Sequence, residues 1–287
     1  MTKASALPVE TPSGKDAANE NFPVGSWLLP ARLRPHIAAF YAFARAIDDI
    51  ADNPDLSADE KITRLSGFEA AICGHTDSDG YEKAYRMRAS LGETGVAPRH
   101  CLDLIAAFKQ DAVKGRYDDW DDLMGYCILS AAPVGRYLID LHGGSKDGYG
   151  PSDALCNALQ VINHLQDCQE DYRVLDRIYL PGDWMAAAGV GPADLDKDHA
   201  GPAMRQVLDR SLDATASLMI EARRLPPGLV SRRLAMESGA IIAIADRLIG
   251  LLRRADPLAG RVQLSKVGFI TCCLGGAASG AFERSPV

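Results

Sequence analysis

The stretch YAFARAIDDIADNPD, residues 41–55, begins as an apolar helical run and then places three aspartates within five positions. Asp48 and Asp52 are four residues apart, so they share one helix face and repel each other. They also stand near the predicted C-terminal end of the helix, where the macrodipole disfavours anions. Because this arrangement costs stability, it indicates either a solvated acidic helix end or a site for a hard cation such as Mg²⁺, which binds carboxylate and phosphate oxygens together.

A second acidic pattern lies downstream in QVINHLQDCQED, residues 160–171. Asn163, Asp167 and Asp171 recur at every fourth position and therefore lie along one helix face, with Gln160 close to it. Helical bundles build metal sites from side chains that facing helices project inward. The set of oxygen ligands favours Mg²⁺ or Mn²⁺, and a di-iron site would need Glu-x-x-His pairs, which the sequence lacks.

The remainder of the chain also has helical periodicity. Apolar residues recur at three- and four-residue spacing, and no stretch alternates as a strand would. The acidic run at 116–122 is interpreted as a helix start, because acidic side chains are favoured in a first turn. We therefore predict an all-α single domain over residues 21–287, preceded by a flexible segment, 1–20.

Local signals place some helix boundaries. Ser57 followed by Glu60 has the spacing of a capping box, and it predicts a helix that ends at Gly74. A long helix is predicted over residues 121–143, with a kink at Pro133.

Composition limits the class of protein. The 287 residues carry a net charge of −7, which argues against nucleic-acid partners, because proteins that bind nucleic acids carry a basic surface. Seven scattered cysteines without CxxC spacing argue against a disulfide framework or a zinc site and fit a reducing, cytoplasmic compartment. The uncharged tract at 267–282 is shorter than the roughly 20 apolar residues of a membrane span.

The motifs point to a class of chemistry. The sequence has no GxxxxGK[ST] phosphate loop and no local nucleophile signature, so two metal-binding helices favour an enzyme that acts on a diphosphate through Mg²⁺. Arg45, one turn before Asp48, and Arg177 would supply cations near the diphosphate. Two simpler interpretations stay open. Arg45 could form a structural ion pair with Asp48 or Asp49, and Tyr41 could be an ordinary core residue.

YAFARAIDDIAD followed far downstream by QVINHLQDCQEDYRVLDRIYLP resembles the squalene and phytoene synthase family, and the likeness extends from residue 21 to residue 266. The resemblance implies an isoprenoid (terpenoid) synthase fold, a helical bundle with the two acidic motifs on opposite walls of a central cavity. It also implies Mg²⁺-dependent joining or processing of C15 or C20 isoprenoid diphosphates. The metal ligands implied are Asp48, Asp52, Asn163, Asp167 and Asp171. The catalytic residues implied are Tyr41, Arg45, Asp48, Asp52, Asp167 and Asp171. The substrate-binding residues implied are Phe22, Asp49, Tyr126, Gln160, Arg177 and Tyr179.

Departures from the family pattern narrow the implied reaction. Gln166 stands where the family usually has arginine, Ala131–Gly135 reads AAPVG in place of AGxVG, and Asp176 with Arg177 replaces a GR pair. These changes resemble one bacterial branch associated with hopanoid biosynthesis, the hydroxysqualene synthases. This branch converts presqualene diphosphate to hydroxysqualene, with release of diphosphate and capture of the rearranged carbocation by water.

The resemblance to this branch has further implications. No NADPH is expected, a sister enzyme would supply presqualene diphosphate, and a flavin-dependent reductase would consume the product. The apolar substrate suggests loose, peripheral association with the inner face of the cell membrane. Two alternatives stay open: head-to-head condensation of two farnesyl or geranylgeranyl diphosphates, and a non-catalytic lipid-binding relative, which would be expected to lose both acidic motifs.

Overall fold

The computed structural model describes residues 9–10 and 28–282. This part of the chain forms twelve α-helices and a two-stranded sheet. The helices are α1 (Arg34–Ala51), α2 (Ala58–Cys73), α3 (Glu82–Thr94), α4 (Arg99–Asp111), α5 (Trp120–Ser130), α6 (Ala132–Leu141), α7 (Tyr149–Leu175), α8 (Gly182–Ala188), α9 (Pro202–Ala222), α10 (Leu225–Gly228), α11 (Arg232–Leu252) and α12 (Lys266–Phe282). The strands are β1 (Arg116–Tyr117) and β2 (Ile178–Pro181). The predicted all-α class is confirmed. The predicted flexible segment lies outside the described residues except for positions 9 and 10, and the single domain stays a prediction.

Helix α1 carries the first acidic motif. Pro35 stands in its first turn, where a missing backbone N–H removes no helical hydrogen bond. Ile37 and Phe40 are 5% and 4% exposed and belong to a continuous buried face. Asp52 caps the helix, and its N–H donates to the carbonyl oxygen of Asp48 at 2.9 Å. The helix therefore ends inside the acidic motif, as the sequence predicted.

Helix α2 has the predicted boundaries. The Ser57 hydroxyl accepts a hydrogen bond from the N–H of Glu60 at 3.3 Å, which satisfies one of the free donors of the first turn. The helix ends at Gly74, whose φ of 76° is readily adopted only by glycine.

The predicted long helix with a kink at Pro133 is wrong, because the chain forms two helices there. Ala131, with φ −116° and ψ −48°, separates α5 from α6. Pro133 cannot donate a backbone hydrogen bond, and its ring clashes with the preceding turn of a continuous helix. It is tolerated in the first turn of a new helix, which is where the structure places it.

The sequence also failed to predict the small parallel sheet. Strands β1 and β2 are two and four residues long, too short for an alternating pattern to be visible. Residues 116–117 are therefore strand rather than helix start. The helix begins at Trp120, after Asp119, whose carboxylate accepts from the N–H of Asp122 at 2.9 Å. The sheet matters for function because β2 follows Arg177 and contains Tyr179.

The 27-residue helix α7 packs against α6, α9 and α11 and carries the second acidic motif. Helix α12 packs on α11 through glycines, with the backbones in direct contact at Gly239 and Gly276. None of the helices in the described residues combines the length and the apolar character that crossing a bilayer requires.

Candidate active site

A cavity of about 270 Å³ lies between α1, α4, the α5–α6 junction, α7 and the α10–α11 region. One part of its wall is polar and charged: α1 contributes Tyr41, Arg45 and Asp48, and α7 contributes Gln160 and Asn163. Most of the remaining wall is apolar, with leucine, isoleucine and phenylalanine side chains from several helices. The structure therefore brings residues of both acidic motifs to one amphiphilic cavity, and five of the predicted site residues line it.

Arg45 forms ion pairs with two residues of the first motif. Its Nη1 lies 2.8 Å from Asp48 Oδ2, and its Nη2 lies 2.7 Å from Asp49 Oδ1. Asp49 is 9% exposed, so this ion pair lies largely inside the protein. Burial raises the pKa of Asp48 well above its usual range, and the negative charge of Asp52 raises it further. The structural ion pair considered from the sequence is thus present, within a site that has an excess of negative charge.

Arg177 joins the end of α1 to the start of β2. Its Nη1 donates to Asp52 Oδ1 at 2.6 Å, and its Nη2 donates to the carbonyl oxygen of Ala51 at 2.7 Å. Arg177 is only 5% exposed. A cation at the C-terminal end of a helix compensates the macrodipole, which partly offsets the cost of the carboxylates there. Arg177, which was predicted to supply a positive charge near the diphosphate, therefore contacts the first acidic motif.

The second motif lies on α7. Asn163 lines the cavity, and the half-buried Asp167 and Asp171 follow one and two turns later, about 6 and 12 Å along the helix axis. Asp171 Oδ2 lies 3.9 Å from His164 Nδ1, and Gln160 Nε2 lies 3.2 Å from His164 Nε2. His164 is thus a packed, hydrogen-bonded side chain between two residues of the motif.

Asp111, at the end of α4, organises two of the predicted site residues, and the sequence analysis missed it. The Tyr126 hydroxyl donates to Asp111 Oδ2 at 2.6 Å, and the Tyr179 hydroxyl donates to Oδ1 at 3.1 Å. His164 stacks on the Tyr179 ring with a centroid distance of 3.6 Å. Tyr126 and Tyr179 are not among the residues that line the cavity, so the structure places them behind its charged wall. Burial raises the pKa of Asp111 to about 6.

Asp111→Asn is expected to change how stability depends on pH. The pKa of Asp111 is about 6 in the folded protein, against an ordinary value of 3.8 for an aspartate in an unfolded chain. The folded state therefore binds the carboxyl proton of Asp111 more tightly than the unfolded state does. As the pH rises from 4 to 7, the free energy of unfolding of the wild type should therefore fall by about 2 kcal/mol relative to that of Asp111→Asn. Urea unfolding at both pH values measures this, with Asp198→Asn, an exposed carboxyl, as control. A difference between wild type and Asp111→Asn that stays constant with pH would contradict the assignment.

Further polar residues of the cavity wall were missed, among them Glu237 and Ser130. Glu237 on α11 is 3% exposed, and Ser130 at the end of α5 is 8% exposed. Glu237 was recognisable in the sequence, because it shares an apolar stripe with Leu234 and Ile241 at helical spacing. Ser130 gave no comparable signal, because serine is common at helix ends.

The donor chemistry of the two motifs fits a hard divalent cation. The candidate ligands are all carboxylate or amide oxygens, which are the ligands that hard cations prefer. The pKa of Asp48 is raised by burial and, to a smaller extent, by the negative charge of Asp52, which a cation would neutralise. Within residues 9–10 and 28–282, however, no three His, Cys, Asp or Glu side chains are grouped closely enough to share a metal ion. In the first motif, Arg45 and Arg177 form ion pairs with Asp49 and Asp52. The predicted Phe22 lies outside the described residues.

Comparison with known proteins gives the family. The family model for squalene/phytoene synthase matches residues 16–268. The chain belongs to the squalene/phytoene synthase family. This family member is 43% identical over 285 residues to the hydroxysqualene synthase of Rhodopseudomonas palustris, an alignment that covers 99% of this chain and 96% of that one. It is 40% identical to the hydroxysqualene synthase of Sinorhizobium fredii, covering 93% and 90% of the two chains.

A solved structure agrees with this assignment. The fold of this family member matches the squalene synthase of Alicyclobacillus acidocaldarius with a TM-score of 0.71 and 30% identity, over 80% of this chain and 87% of that one. The family and the isoprenoid synthase fold predicted from the two acidic motifs are therefore confirmed.

Proposed function

We propose that the protein converts presqualene diphosphate to hydroxysqualene, releasing diphosphate and adding water. The observation that carries this proposal is the amphiphilic cavity, whose charged wall holds Arg45, Asp48 and Asn163 and whose remaining wall is mainly apolar. A long isoprenoid diphosphate has the same division into a charged head and an apolar body. The identity of 40–43% to relatives named hydroxysqualene synthase supports this reaction over condensation.

The charged residues would bind and activate the diphosphate. The residues that would hold Mg²⁺, or Mn²⁺ in its place, are Asp48, Asp52, Asn163, Asp167 and Asp171. The bound ion would neutralise the diphosphate and favour its departure. Arg45 and Arg177 keep the carboxylates of the first motif in fixed positions and add positive charge beside them. Tyr41 and Gln160 would contact the head of the substrate, because they line the same wall.

The apolar part of the cavity wall would protect the carbocation from bulk water after the diphosphate has left. Leu104, Phe108 and Leu159 line the cavity and are at most 9% exposed, so they would exclude bulk water from the hydrocarbon. The proposed reaction is redox-neutral: one water molecule is added and one diphosphate is released. NADPH is therefore not required by its balance.

Incubation of the purified protein with Mg²⁺ and presqualene diphosphate, without NADPH, tests the function. We expect release of diphosphate and formation of hydroxysqualene, detected by mass spectrometry, and loss of both when the metal is chelated. Farnesyl diphosphate in a parallel incubation should remain unchanged. Consumption of farnesyl diphosphate with presqualene diphosphate left intact would overturn the proposal in favour of head-to-head condensation.

The proposed reaction also defines neighbouring steps. An enzyme that joins two farnesyl diphosphates must supply the substrate, and a reductase, which we propose to be flavin-dependent, would remove the hydroxyl group to give squalene. Both partners handle apolar C30 compounds, so we propose that the protein works at a membrane surface.

Helix α12 is the surface that we propose for this contact. Val267, Ile270, Leu274 and Phe282 lie on one face and are between 56% and 82% exposed. Residues 261–282 include two cations, Arg261 and Lys266, and no acidic side chain, which suits an anionic bilayer.

Leu274→Glu is expected to weaken binding to vesicles that contain anionic phospholipid, because it puts a charge in the centre of the apolar face. Flotation of the protein with such vesicles measures this. Ile220→Glu replaces an equally exposed apolar residue on α9 and should have little effect. Equal flotation of wild type and Leu274→Glu would exclude α12 as the contact surface.

A further inference from the structure

Ser130 is an unusual residue of the cavity wall. It is the last residue of α5, it lines the cavity, and it is 8% exposed. Its Oγ is buried and has no hydrogen-bond partner among the residues that the structure describes. Leaving a buried hydroxyl without a partner is energetically costly, and a bound water molecule or ligand is one way in which native proteins satisfy such a group.

Other buried hydroxyl groups in this protein behave differently. Ser211 and Thr215 on α9 donate to the carbonyl oxygen four residues earlier, at 3.0 and 2.7 Å. This is the usual way for a helical serine or threonine to satisfy its hydroxyl. Ser130 makes no such bond to the carbonyl oxygen of Tyr126. Its hydroxyl therefore remains available to a molecule in the cavity.

The backbone beside Ser130 adds to the polar character of this spot. The helical conformation is interrupted at Ala131, between α5 and α6, and Pro133 follows Leu129 by four residues. Because proline has no N–H, the carbonyl oxygen of Leu129 cannot receive the usual i+4 helical bond from position 133. An ordered water molecule needs two to four polar partners, and a helix break next to a hydroxyl group is a place where they can occur.

The position of Ser130 along the cavity is informative. It follows Tyr126 by one helical turn, about 6 Å along the axis. Tyr126 belongs to the polar region behind the charged wall, because its hydroxyl binds Asp111 and its ring lies 6.1 Å from the His164 ring. On the other side of Ser130, Ala131 and Val134 continue the apolar wall. Ser130 thus lies on the cavity wall between the polar cluster around Asp111 and the apolar residues Ala131 and Val134. A cation held in the cavity after diphosphate departs would lie within reach of this part of the wall.

We propose that the Ser130 hydroxyl binds the water molecule that captures the carbocation. This inference rests on the proposed function. After diphosphate departs, the cyclopropylcarbinyl cation rearranges and a bond of its three-membered ring breaks. The water oxygen then donates an electron pair to the cationic carbon and forms the C–O bond. The resulting oxonium loses one proton, which the released diphosphate can accept, and the product is a neutral alcohol. Without a bound water molecule, the same cation loses a proton from a neighbouring carbon and forms an additional C=C bond. Ser130 is thus a positioning residue that decides between alcohol and alkene.

Ser130→Ala tests the inference through the ratio of products formed from presqualene diphosphate and Mg²⁺. We expect the ratio of hydroxysqualene to dehydrated C30 hydrocarbon to fall at least tenfold, while diphosphate release changes less than threefold. A purely structural role would lower diphosphate release and leave the ratio unchanged. Ser130→Thr retains a hydroxyl group and should restore the ratio, and Ser211→Ala removes a buried hydroxyl away from the cavity and should leave it unchanged.

The possible outcomes separate this inference from the proposed function. Wild-type protein that does not consume presqualene diphosphate would refute the proposed function. Wild-type protein that forms hydroxysqualene, with Ser130→Ala giving the same product ratio, would refute the role of Ser130 alone. Ser130→Cys, of similar volume and with a weak hydrogen-bonding group, provides a second variant and should shift the ratio in the same direction as Ser130→Ala.

Discussion

Asp48→Asn is expected to reduce the turnover of presqualene diphosphate by a factor on the order of 10³, since it removes one carboxylate of the metal-binding set and retains the shape of the side chain. Asp48 lies in the charged wall of the cavity, and Arg45 fixes its carboxylate at 2.8 Å. An amide in its place still accepts a hydrogen bond from Arg45 but carries no charge for Mg²⁺. Initial rates of diphosphate release measure the effect.

The same substitution should not destabilise the fold. Asp48 shares a short segment with Asp49 and Asp52, and burial together with the charge of Asp52 disfavours its ionised form. Removing the charge relieves that repulsion, so we expect the thermal midpoint of Asp48→Asn to equal or exceed that of the wild type. A residue held in a costly arrangement for function has this signature of lost activity without lost stability.

Asp55→Asn is the matched control for Asp48→Asn, because it makes the same chemical change at an exposed position four residues beyond the end of α1. It should alter neither turnover nor the thermal midpoint. Full activity of Asp48→Asn at saturating Mg²⁺ would rule out the metal-binding role of the first motif. Loss of activity accompanied by unfolding would show that Asp48 is structural.

The acidic motifs were predictable because their information is local. The spacing of Asp48 and Asp52, and of Asn163 and Asp167, fixes a common helix face without any knowledge of tertiary contacts. The helical class followed from the same periodicity. Family resemblance then supplied what spacing could not, namely that the two faces meet at one cavity.

The parts that sequence analysis missed depend on contacts between distant residues. Arg177 contacts Asp52 across 125 positions, and Tyr179 contacts Asp111 across 68. No periodicity within a single segment encodes such a pair. Asp111 also lies at a helix end, where an acidic residue looks unremarkable until two tyrosine hydroxyl groups are found on its carboxylate. The break at Ala131 was missed for a related reason, because proline is compatible with a kink, a break or a first turn.

Gly276→Ala is expected to destabilise the protein by about 3 kcal/mol, because a close-packed contact cannot absorb an added methyl group. A Cβ atom at Gly276 would lie 2.3 Å from the carbonyl oxygen of Gly239 and 2.7 Å from the Cα of Ala240. Both are backbone atoms of α11, so no side-chain rotation can relieve the clash, and α12 would have to move away. Because α11 also lines the cavity, that displacement should lower activity as well.

Gly275→Ala makes the same change one position earlier, and its effect on the free energy of unfolding should have the opposite sign. A Cβ atom there would meet no other atom within 4 Å. Alanine is the better helix former, so this variant should gain about 0.5–1 kcal/mol. Both variants gain the same helix propensity, but only the methyl group of Gly276→Ala meets the α11 backbone. Urea unfolding of the two variants therefore separates the effect of helix propensity from the effect of packing between α11 and α12. Similar stability of the two variants would mean that α12 does not pack on α11 through this face in solution, and the cavity wall would then owe its position to the remaining helices alone.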